Sequence, residues 1–140
     1  MDTSGRLRWL RAVLLMGAVY LVVGLVFATL AGWSGSNQMQ VVWRLAAWVI
    51  SAVAFAAHIG YEHVRLRSPP RTTAFHASLS VALGAFGLAV AANLHARAAA
   101  NPQHTHSLAS ALVLWPVVLG LPAFIVALAA AAGLALRRRT

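Results

Sequence analysis

The chain has 140 residues, of which 61% are hydrophobic and 9% charged, and its eleven basic residues against two acidic ones give a net charge of +9. Soluble domains carry about 25% charged residues, and a chain this short buries only about two-thirds of its surface in water, so this composition would leave broad apolar patches exposed. A soluble enzyme, a disordered tail and a water-soluble nucleic-acid binder are thereby excluded, and an all-α integral membrane protein remains.

Four apolar stretches are long enough to cross the roughly 30 Å of a bilayer core. The first helix is expected over about residues 9–32. Its apolar run exceeds a signal-peptide core and carries no small-x-small cleavage site, so it reads as a retained helix. Arg6, Arg8 and Arg11 flank its start, and Gly17, Gly24 and Ala31 recur at seven-residue spacing along it. An uncharged loop, Ser34 to Gln38, follows.

The second helix is expected over about residues 41–64, with its apolar run ending near Tyr61. At 100° per residue, Arg44, Ser51, His58, Glu62 and Arg65 share one stripe of about 60°. Polar side chains in lipid turn toward protein or water, so this stripe should face the bundle interior or an oligomer interface. Arg44 can snorkel to the outer boundary beside Trp43. Glu62 and Arg65, three apart at the inner edge, are placed to pair on the helix surface. Arg65, Arg67 and Arg71 surround the break Ser68-Pro69-Pro70.

The third helix is expected over about residues 73–96, capped by Thr72 or Thr73. Ser80-xxx-Gly84 and Gly87-xxx-Ala91 are small-xxx-small steps that admit close backbone approach. Asn101-Pro102 should turn the next loop. The fourth helix is expected over about residues 108–136. Pro116 and Pro122 each remove a backbone donor inside it and predict a kink, with Gly120 as the soft point of a hinge. Arg137, Arg138 and Arg139 follow.

Arginine-rich segments stay in the cytoplasm. Both termini and the Arg65–Arg71 connection are therefore expected inside, with an antiparallel up-down-up-down four-helix bundle in a single domain over residues 1–140. Short connections make sequential helices neighbours. Every basic residue is Arg, a compositional hint of a GC-rich bacterial genome and hence of a bacterial inner membrane. The arginines also fit anionic headgroups as lipid partners.

Six histidines form two groups by depth. His58 and His76 fall at similar heights on the second and third helices, as a haem b or small metal site would need. His95, His104 and His106 lie toward the other side and suit an outer metal site or a pH switch. Cysteine is absent, so thiolate and iron–sulfur sites are excluded. With Asp2 and Glu62 as the acidic residues, paired-carboxylate catalysis is unavailable and no enzyme is expected. The reading is a small channel- or transporter-like protein acting as a homo-oligomer. An accessory subunit of a larger membrane complex and a His-ligated haem or metal electron-transfer protein are the alternatives.

Overall fold

The computed structural model describes the backbone of residues 3–98 and 105–137 and the side chains of residues 7–98 and 110–137. It is all-helical, with α1 Thr3–Trp33, α2 Asn37–Tyr61, α3 Pro70–Ala98 and α4 Thr105–Arg137. A short π-helical turn, Glu62–Leu66, extends α2. With the π-turn counted in α2, each of the four contains an apolar segment of 27 to 30 residues, which at 1.5 Å per residue exceeds the hydrocarbon core. The chain is thus a four-helix bundle whose helices can each span a membrane. His104, Asn101-Pro102, Arg138 and Arg139 lie outside the described residues.

Local chemistry fixes the ends. Ser36 is extended at the start of α2, and its Oγ accepts from the Met39 N–H at 3.3 Å, satisfying one orphan donor of the first turn. Past Tyr61 the helix widens. Arg67 then takes a left-handed conformation with φ 50°, and its N–H closes back on the Glu62 carbonyl. The Ser68 N–H reaches the same oxygen at 3.3 Å. Helix α3 begins at Pro70, where a missing N–H costs nothing. The expected Thr72 or Thr73 cap is therefore corrected: Thr73 lies within the first turn, buried, with its N–H on the Pro69 carbonyl at 3.0 Å. Helix α4 runs unbroken through Pro116 and Pro122.

The packing differs from the expected order of neighbours. Helix α3 lies chiefly against α4 and α1, α1 also packs on α2, and α2 meets α3 and α4 only narrowly. Glycine explains the preference for α1 on α3. A Cβ added at Gly84 would sit 2.6 Å from Tyr20 Cβ and 3.3 Å from the Gly17 carbonyl oxygen, and one at Gly17 would sit 3.1 Å from Leu83 Cβ. Farther along, Gly24 faces Leu88 and Gly87 faces Leu21, so the register advances in step along both helices. The two stripes of small residues meet each other, and the backbones approach as in small-xxx-small membrane pairs.

The interior is built from small side chains. Ala74, Ala77, Ala127, Ala131 and Ile59 form a cluster flanked by Phe55, Phe124 and Leu128. Large apolar residues such as Leu15, Trp48, Val53, Val113 and Ile125 point outward. In water that distribution would be inverted; with lipid as solvent, outward Leu and Val lose nothing and inward Ala and Gly gain close contact.

Candidate functional site

The polar interior lies at the end of the bundle where α2 passes into the π-turn. His58 occupies the last turn of α2, and Glu62 opens the π-turn one helical turn later. Glu62 is fully buried at 0% exposure, while His58 retains 3% and His76 5%. His76 Nδ1 and Glu62 Oε1 share a hydrogen bond of 2.9 Å. His58 Nε2 lies 3.8 Å from the same oxygen, too far for a hydrogen bond. The indole of Trp9, from α1, stacks on the His76 ring at 4.8 Å between centroids with 3° between planes. Three elements therefore close on one carboxylate: α1 through Trp9, α2 and its π-turn through His58 and Glu62, and α3 through His76.

Several polar atoms of this cluster keep bonding capacity. Glu62 Oε2, both nitrogens of His58 and Thr73 Oγ1 are buried without a hydrogen-bond partner among the described residues. Ser80 Oγ, one turn along α3, donates to the His76 carbonyl at 2.9 Å. His63, beside Glu62, is also buried. Within a lipid-solvated bundle such a carboxylate is stable only if paired or neutral, and a proton placed on either side of a short carboxylate–imidazole contact meets both conditions. The Glu62–His76 contact can hold a proton on either partner.

The remaining sequence-derived residues are distributed as follows. Of the α2 stripe, His58 and Glu62 are buried, Ser51 is half-buried and Arg44 is exposed. The expected surface pair of Glu62 with Arg65 is replaced by the pair with His76, because the π-turn widens the spacing after Tyr61 and leaves Arg65 exposed. His58 and His76 do converge, as a shared ligand would require, and what they meet on is the Glu62 carboxylate. No group of three metal-ligating side chains is close enough to hold an ion among the described residues. His95 is exposed on α3, and His104 and the side chain of His106 lie outside the described residues. Gly120 packs toward α3, where an added Cβ would lie 3.4 Å from Ala82 Cβ.

Sequence reasoning missed Trp9 as a member of the polar cluster. Nothing in the spacing of α1 tied Trp9 to position 76. The one available signal was that His58 and Glu62 are four apart, on one helix face.

No family model matches the chain, nor does any curated protein or solved structure.

Proposed function

We propose that the protein is a small transporter- or channel-like membrane protein whose His58–Glu62–His76 cluster takes up and releases a proton. The carrying observation is the wholly buried Glu62 held 2.9 Å from His76 in a bundle whose main apolar cluster is built from small side chains. An ionisable group at membrane depth is costly to retain and marks proton and ion pathways. Glu62 with His76 can exist as a neutral pair or an ion pair that differ by one proton along one hydrogen bond. Trp9 fixes the imidazole plane, and His58 stands one small side-chain adjustment from the same oxygen.

The arginines order the rest of the reading. With the Arg65–Arg71 connection in the cytoplasm, the helices alternate in direction, both termini are inside, and the cluster lies on the cytoplasmic side of a bacterial inner membrane. The excess of Arg favours a small anion moving with the proton. The polar stripe continues outward on α2 through half-buried Ser51 to exposed Arg44. A path between two copies of the chain, in a homo-oligomer, follows from that continuity. The accessory-subunit reading loses part of its basis, because the Gly faces suited to docking are occupied by the contact of α1 with α3.

Reconstituted vesicles test this reading. Under an imposed pH gradient the wild type should carry protons together with a small anion, and Glu62→Gln should lower that flux at least about tenfold with unchanged helicity and oligomer mass. Vesicles silent toward every small ion, with or without the gradient, would overturn it. A Soret band or bound metal in the same preparation would favour the haem or metal reading of His58 and His76 instead.

A further inference from the structure

We infer that the groove between α2 and α4 is a binding site for an anionic phospholipid, with an acyl chain along the groove and the headgroup phosphate at Arg137. Because α2 packs on α1 and only narrowly on α4, a cleft of about 610 Å³ opens between them. Its wall is apolar apart from Arg137 and includes the small residues Ala52 and Ala56 on α2 and Ala130 and Gly133 on α4.

On α4 the cleft extends from Val126 to Arg137. That is about 16 Å at 1.5 Å per residue, close to half of the roughly 30 Å bilayer core and so to the depth of one leaflet. The cation lies at one end only. It is the end of the π-turn and its exposed Arg65 and Arg67, since Ile59, which also lines the cleft, packs with Ala127 and Ala131. Arg138 and Arg139 follow Arg137 in the sequence. An apolar slot one leaflet long with a guanidinium at its interfacial end is complementary to a lipid carrying a phosphate and net negative charge. The proposal needs only that the helices span a bilayer; it stands or falls separately from proton uptake at Glu62.

Native mass spectrometry of the delipidated protein in mild detergent, titrated with phosphatidylglycerol or phosphatidylcholine, tests the site. The wild type should retain one phosphatidylglycerol in preference to phosphatidylcholine. Arg137→Gln should reduce that preference about fivefold, which corresponds to the ~1 kcal/mol of one Arg near an anionic headgroup. Gly133→Phe should abolish retention of both lipids: an added Cβ there meets nothing within 4 Å, so the ring fills the cleft without displacing the backbone. If that variant fails to fold, Ala130→Phe blocks the same cleft from an exposed position. Equal retention of the two lipids by the wild type, unchanged preference in Arg137→Gln, or undiminished binding to the blocked variant would each overturn the proposal. So would a lipid-insensitive dimer cross-linked through positions 56 and 133, which would make a second copy of the chain the occupant.

Discussion

Glu62 shares one hydrogen bond with His76 and none with His58, and this asymmetry predicts different fates for the two imidazoles. Replacing His76 by Leu removes the partner of a buried carboxylate and the ring that stacks on Trp9. It should destabilise the protein by about 3 kcal/mol, the cost of breaking a buried pair from one side. Replacing His58 by Leu breaks no hydrogen bond and places a side chain suited to lipid at that depth. It should change stability by less than about 1 kcal/mol while lowering flux strongly. Glu62→Gln keeps an acceptor for His76 and should likewise stay within about 1 kcal/mol of the wild type. Unfolding in mixed micelles measures all three. Equal losses of stability in His58→Leu and His76→Leu would mean that both imidazoles serve only packing. At this scale the sequence showed His58 and His76 at similar depth and Glu62 on the face of His58, at the inner edge. It did not show Glu62 turning to His76, because that depends on a five-residue π-turn that no residue pattern announces.

Among the helices, the contact of α1 with α3 is the one most sensitive to single atoms. At Gly84 an added methyl group would press on Tyr20 Cβ at 2.6 Å, an atom fixed to its backbone. Gly84→Ala should therefore cost about 1–3 kcal/mol, as overpacking does. At Gly87 the nearest atoms, at 3.0 Å, are the mobile ends of Leu21, and Gly87→Ala should be tolerated better. Gly133→Ala, which meets no neighbour, is the control and should be near neutral. Thermal or denaturant midpoints of the three variants give the ranking; a Gly84→Ala protein as stable as the control would mean that the helices do not cross at these positions. The four spans and their small-residue stripes were legible because lipid imposes long apolar helices and close helix contact imposes Gly and Ala. Partner choice was less legible. Short connections suggested α2 beside α3, whereas Gly17 and Gly84 bring α1 against α3. Element ends ran past the apolar runs wherever polar residues such as Asn37 or Pro70 could continue or start a helix.

For the whole molecule, the inside-out distribution of small and large apolar residues and the four long helices make lipid the solvent of the fold. The polar stripe of α2 reaches the surface of the bundle at Arg44. The protein in mild detergent should accordingly have the mass of a homo-oligomer, and Arg44→Glu should weaken that assembly by like-sign or unpaired charge at the shared face; a strict monomer in both cases would remove the inter-copy path. The most direct test of the buried proton site uses a property of the entire chain, which contains a single glutamate. Labelling the glutamate carboxyl carbon with ¹³C therefore gives one side-chain signal, that of Glu62, in vesicles. A buried site predicts a signal protected from a water-soluble paramagnetic agent and shifted by His76→Leu. A signal broadened by the agent and identical in both proteins would contradict it.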